Sequence, residues 1–284
     1  MALSFIRYHR GRLALKASVS TRVWTRQAGV PAPRVVAAVC ALLMCAACGR
    51  PPAEARRVAV AAAADLKFAM EEVSLEFHRA HPDVELRASY GSSGNFYSQI
   101  HNGAPFDAFL SADVEYPRRL LREGIGAADS LFVYGVGRIV VWVPAASTLD
   151  PAAALRDGGI RHVAIANPQH APYGRAAEAA LRSLGLYGGV ERKLVLGEDV
   201  AQAFAFVESG AADVGIVALS LALAPAARGK GRYWEIPLDA YPRIEQGGLL
   251  LKESADTRAF RAFLVSAAGR GILERYGFYM PENR

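Results

Sequence analysis

The chain has 284 residues, 52% of them apolar, with 33 basic and 27 acidic side chains and a formal charge of +6. Residues 1–48 hold seven of the basic residues and none of the acidic ones, which leaves 26 basic against 27 acidic beyond them. A near-neutral body removes any global electrostatic case for nucleic acid. All three cysteines, Cys40, Cys45 and Cys48, lie in that first stretch, so disulfides and thiolate metal sites are excluded after it.

In chain order, the first element is a leader, residues 1–48. Basic residues ending at Arg34 precede the apolar run from Val35 to Cys48, which is short for a membrane span and suits the core of a secretory signal. Export is expected. Cys48, followed by Gly49 and a Pro-rich linker over 49–55, fits two readings. Either it is the lipidated cysteine of a lipoprotein cleavage site, or cleavage is ordinary and the product is soluble.

From Arg57 the pattern alternates. "RVAVAAAA" reads as a strand, and "DLKFAMEEVSLEFHRAHP" places Leu66, Ala69, Met70, Val73 and Phe77 on one helical face. "DVELRASY" is strand-like, "GNFYSQIHNGA" helical, "FDAFLSA" a strand, and "EYPRRLLREG" a helix ended by Gly124. "GRIVVWVP" and "HVAIANP" are strands; "GRAAEAALRSLGL" is a helix, "KLVLGE" a strand, "DVAQAFAFVESGA" a helix and "VGIVALS" a strand. The tail from Thr257 reads as two helices. Such alternation argues for an α/β fold with parallel or mixed sheets flanked by helices, and two sheets suit so many short strands.

Four strand-to-helix corners stand out: Ala64-Asp65-Leu66, Gly91-Ser92-Ser93-Gly94, Ala171-Pro172-Tyr173-Gly174 and Glu198-Asp199-Val200. The start of a helix presents unpaired N–H groups and partial positive charge, so each corner suits an anion. Ser92 and Ser93 add hydroxyl donors, and the glycines are expected to let backbone approach a ligand closely. Helix capping is the ordinary explanation of any one corner. His170, beside the third, reads as a solvated loop residue. Asp107, Asp113 and Glu115 read as structural or surface groups.

Enzyme motifs are absent from this reading. Asn95 stands where a nucleophile elbow starting at Gly91 requires glycine. His78 and His81 lie three apart with no evident third ligand, and there is neither a P-loop nor a dinucleotide fingerprint.

The runs "AAAADLKFAM", "YGSSGNFYSQIHNGAPFDAFLSADVEYPRRL", "ANPQHAPYGRAAEAAL", "GEDVAQAFAFVESGAADVGIVALS" and "RYGF" are similar, in order, to periplasmic molybdate-binding proteins, the ModA-type components of ABC importers. The resemblance covers Val58 to Phe278. It implies a two-lobed periplasmic-binding-protein fold of type II, each lobe a mixed sheet flanked by helices, joined by two crossovers near "VGRIVVWVP" and "WEIPLDAYPRIEQ". Lobe 1 is then 56–138 plus 239–284, and lobe 2 is 139–238. It also implies capture of molybdate or tungstate by neutral donors, without catalysis or cofactor, and delivery to an inner-membrane ABC permease. A periplasmic monomer is expected, touching the membrane only in the reading in which Cys48 is lipidated.

On the family pattern Ser93 donates its hydroxyl, while Tyr173 and Val200 donate backbone N–H groups. Two positions depart from it. Ala218 replaces a tyrosine that some members direct at the anion, and Asp65 stands where the family offers serine or asparagine. An ionised carboxylate has no donor. Asp65 therefore caps its helix and offers only its backbone, or is protonated, or accepts a proton from the ligand. The last case favours phosphate, arsenate or vanadate, and a different small ligand is a further alternative. An enzyme on this scaffold is disfavoured.

Overall fold

The computed structural model describes residues 56–280; Cys48 and the rest of the leader lie outside the described residues. Ten strands form two five-stranded mixed sheets. The first sheet is built on β1 (Arg56–Ala63), which pairs in parallel with β2 (Val84–Gly91) on one side and β3 (Ala108–Ser111) on the other. Then β10 (Ile244–Leu250) runs antiparallel between β3 and β4 (Phe132–Gly137).

The second sheet repeats this plan. In it β6 (Val163–Ala166) pairs in parallel with β7 (Leu194–Gly197) and β8 (Val214–Ala218). Antiparallel to β8 lies β5 (Ile139–Pro144), with β9 (Gly231–Glu235) at its far edge. The chain crosses from the first sheet to the second at Arg138 and returns between Glu235 and Ile244. An Arg138–Glu235 ion pair of 2.7 Å ties the two crossings together.

The inner strands β3, β5, β6 and β8 are largely continuous, buried apolar runs. Val60, Ala61 and Ala62 of β1 are fully buried, as parallel strands inside an α/β layer must be. Helix α1 (Lys67–Ala80) buries Ala69, Met70, Val73 and Phe77, the stripe expected from their spacing. The Phe77 ring meets Phe260 and Phe263 edge-on at 5.9 and 5.7 Å, which docks α8 (Ala255–Val265) of the tail onto it. Burying one such ring stabilises the fold by about 1.5–3 kcal/mol. A capping box at Ser254 and Thr257 starts α8, and α9 (Ala267–Arg275) follows. Among the described residues no helix is long and apolar enough to cross a membrane.

Three strands, β4, β9 and β10, lie outside the pattern read from the sequence. β10 carries Gly247 and Gly248 at a shift of register, and the Val114 and Phe132 side chains occupy the space over them. Its burial therefore comes from neighbours and is not written as a run of apolar side chains.

Candidate functional site

Each of the four corners ends a strand and opens a helical turn. The carboxyl end of β1 enters a 3₁₀ turn, Ala64–Leu66, ahead of α1. From β2 the chain enters α2 (Ser93–His101), capped by Ser92, whose hydroxyl accepts from the Asn95 N–H at 3.4 Å. After β6 comes α4 (Pro172–Ser183), with proline in its first turn, preceded in the chain by α3 (Glu115–Arg122). After β7 comes α6 (Val200–Glu208), capped by Asp199, which accepts from the Gln202 N–H at 2.9 Å; the short helix α5 (Tyr187–Val190) lies between α4 and β7.

All four helix starts line one cleft, together with Ala112. Asp65, Ser93, Tyr173 and Val200 are on its wall, and so is Ser92. The cavity they leave is about 10 Å³, on the order of the space that one water-sized group needs. No lysine or arginine lines it; its charged residues are Asp65 and Asp199. Positive potential must come from the helix starts, where the first N–H groups have no intrahelical acceptor. Ala218 is buried at the end of β8, ahead of the short helix α7 (Leu219–Ala222), and is not on the wall.

Ser93 is 1% exposed, and its Oγ accepts from the Ala112 N–H at 2.9 Å. That bond fixes the oxygen and leaves the hydroxyl proton to donate. Ser92 is differently engaged: its Oγ lies 2.9 Å from His170 Nδ1.

Asp65 does not cap its helix. Neither the 3₁₀ turn nor α1 has a side-chain cap. The carboxyl group is instead drawn inward, 1% exposed, with Oδ2 accepting from the Tyr173 phenol at 2.9 Å and from Gln246 Nε2 at 2.5 Å. Gln246 Nε2 also donates to the Tyr173 hydroxyl at 3.1 Å, and Ser220 Oγ donates to the Asp65 carbonyl at 2.7 Å. Asp65 Oδ1 is buried without a partner. Burial pushes the carboxyl up to about 6, although the Gln246 and Tyr173 hydrogen bonds act in the opposite direction. Burial also raises the Tyr173 phenol well above its ordinary range, with the neighbouring Asp65 reinforcing it, so the phenol stays protonated and donates. Gly137 is needed here, since a Cβ on it would lie 2.1 Å from the Tyr173 hydroxyl.

The rim of the cleft is closed by contacts between elements of the two sheets. Gly94 N–H donates to the His170 carbonyl at 2.9 Å, and Asn95 Nδ2 donates to Glu198 Oε1. Arg175 joins Asp113 at 2.7 Å and Tyr116 at 3.2 Å. His170 is therefore not a solvated loop residue: its side chain is 19% exposed and meets Ser92 and, at 3.7 Å, Glu198. The close approach allowed by Gly94 is to this loop. A Cβ there would sit 2.5 Å from the His170 carbonyl oxygen. Asp107 is structural, accepting from the Ala59 N–H at 2.7 Å and pairing with Lys252 at 2.8 Å.

Gln246 and Ser220 escaped the motif reading, and Glu198 entered it only as part of the fourth corner. A signal existed for Gln246 alone: a polar residue directly before Gly247-Gly248 and the apolar run Leu249–Leu251.

Two mixed sheets joined by a double crossover, with helix starts from both meeting at a small cation-free cleft, define a solute-binding protein of the periplasmic type. Residues 58–279 match the family described as bacterial extracellular solute-binding protein. The chain belongs to that family, and within it to the ModA type. It is 38% identical over 248 residues to the molybdate-binding protein ModA of Azotobacter vinelandii, covering 86% of this chain and 96% of the relative. It is 37% identical over 230 residues to ModA of Rhodobacter capsulatus, covering 80% and 90% respectively. The solved periplasmic molybdate-binding protein of Azotobacter vinelandii superimposes with a TM-score of 0.74 at 33% identity, covering 79% of this chain and all of that one.

Proposed function

We propose that this protein captures molybdate or tungstate in the cleft and delivers it to an ABC permease of the inner membrane. The observation that carries the reading is the convergence of four helix starts and the Ser93 hydroxyl on a space for one small ligand, with no cation on the wall. Such donors offer hydrogen bonds and partial charge already in place, so a dehydrated oxyanion is met without rearrangement. Ser93 supplies a hydroxyl; Tyr173 and Val200 supply backbone N–H groups at the starts of α4 and α6. Relatives named for molybdate favour this ligand over phosphate, arsenate or vanadate. Their role as binding proteins argues against catalysis.

The lobes we assign are 56–138 plus 239–284 and 139–238, hinged at the two crossings and closed by the rim contacts. The exported chain acts as a monomer and is held to the membrane by a lipid on Cys48. Replacing Cys48 by serine should move it from the membrane fraction to the soluble periplasm; unchanged partition removes the anchor.

Calorimetric titration with molybdate, tungstate, sulfate and phosphate tests the ligand. Molybdate and tungstate should bind, and at a hundred times Kd either should add about 2.7 kcal/mol to unfolding stability. Binding of phosphate alone overturns the assignment.

A further inference from the structure

Two wall residues, Asp65 and Asp199, have chemistry that opposes an anionic ligand, and Asp199 is engaged as the cap of α6, accepting from the Gln202 N–H. An ionised carboxylate only accepts hydrogen bonds and adds like charge beside an oxyanion. The surroundings of Asp65 suit the neutral acid better. Oδ2 takes two donors, the Tyr173 hydroxyl and Gln246 Nε2, as the carbonyl oxygen of a carboxylic acid can with its two lone pairs. Oδ1 has no partner although it is buried. As a charged oxygen it would be unsatisfied; as a hydroxyl it lacks only an acceptor. The groups that face it add no positive charge: Tyr173 from α4, Gln246 from β10, Ser220 from α7, and more distantly Tyr134 from β4 and Asp199 at the cap of α6. Asp199 repels a charge on Asp65, and the Tyr134 and Tyr173 phenols stay neutral.

We propose that Asp65 binds the oxyanion as a neutral carboxylic acid, donating from Oδ1, so that each anion captured takes one proton from solvent into the closed cleft. The proposal rests on the oxyanion reading above. The proton is returned when the anion leaves. The residue that looks least suited to the ligand thereby becomes a donor equivalent to the serine or asparagine it replaces, and capture becomes tighter in acid.

The experiment is calorimetric titration of the protein with sodium molybdate in buffers of differing ionisation enthalpy. Near pH 7.5 the slope of observed enthalpy against buffer enthalpy should correspond to about one proton taken up per anion, and the apparent Kd should rise about tenfold for each pH unit above neutrality. D65N supplies an amide donor without titrating, so it should bind molybdate with neither the proton uptake nor the pH slope. In H170N, which removes the imidazole beside Ser92, loss of the proton uptake while molybdate still binds would assign the proton to that side chain and overturn the proposal. Molybdate binding with no proton uptake, or the same uptake in D65N, overturns the proposal and leaves the function reading intact. No binding of molybdate from about pH 5.5 to 8.5 overturns the function reading and the proposal with it.

Discussion

Replacing Gly94 by alanine isolates closure from folding. The added Cβ would lie 2.5 Å from the His170 carbonyl oxygen, 2.8 Å from the Tyr116 hydroxyl and 3.0 Å from His170 Cα. Two of those atoms are backbone or its direct attachment and cannot swing aside, so the rim must open by several tenths of an ångström. Overpacking of this kind costs about 1–3 kcal/mol. The Gly94 N–H bond to His170, 2.9 Å long, lengthens with it and forfeits a further ~0.5–1.5 kcal/mol. The His170 part of that cost falls on the closed form, because Gly94 follows β2 and His170 follows β6, strands of different sheets, while the Tyr116 hydroxyl is the far end of a side chain and can shift. Within α2 itself alanine is the better helix former, by roughly 0.5–1 kcal/mol in a helix interior. G94A should therefore weaken molybdate binding by about 10- to 1,000-fold, since each 1.4 kcal/mol is tenfold. Without ligand, its unfolding midpoint in urea should be unchanged or slightly raised. Titration calorimetry with parallel urea unfolding decides the matter. Wild-type affinity in G94A would refute the argument that this contact forms part of the liganded state, and lost affinity with equally lost stability would make the clash a folding defect.

Ser93 accepts from the Ala112 N–H and, on the proposed reading, also donates to the ligand, so S93A should lose about 1–3 kcal/mol of stability from the stranded Ala112 N–H. Its molybdate Kd should also rise roughly 10- to 150-fold through loss of a donor to a charged group; calorimetry reads the second effect and urea unfolding the first. Asp65 makes ligand-free stability depend on pH with a definite sign. Its folded value of about 6 lies above the ordinary 3.8 of an aspartate, so the folded chain holds the proton more tightly. Stability from this group is complete in acid and falls as pH rises through about 6, by a total near 3 kcal/mol. D65N should accordingly gain thermal stability at pH 8 but not at pH 4, and an equal gain at both would contradict the shift. The Arg175–Asp113 pair is 40% and 31% exposed at its side chains, so R175A should change the molybdate Kd less than about fivefold. A larger loss, measured by titration at moderate salt, would show that this pair governs closure.

How much could be read without coordinates follows from the range over which each feature is written. Helix α1 was legible because Ala69, Met70, Val73 and Phe77 recur at helical spacing, and a stripe of that width has to be buried. Strands β1 and β5 were legible as unbroken apolar runs. The corners at Ser93, Tyr173 and Val200 were legible for the same local reason, since a strand ending where a helix begins exposes backbone donors whatever lies elsewhere. β10 was not legible, because Gly247 and Gly248 are buried by Val114 and Phe132 rather than by their own side chains.

The sequence by itself determined the alternation of strands and helices, the four helix starts and the presence of a carboxylate at the first of them. Only the tertiary structure decided what that carboxylate does. Its partners Tyr173, Ser220 and Gln246 lie 108, 155 and 181 residues away in the chain. Likewise His170 became a rim contact only when α4 met α2 across the cleft. Hydrophobic periodicity fixes which face of an element is buried, but hydrogen-bond partners and desolvation depend on which elements then come together. Those were the terms on which Asp65, for which the sequence left capping, protonation and proton acceptance open, became a buried acid with one oxygen left unpaired rather than a cap.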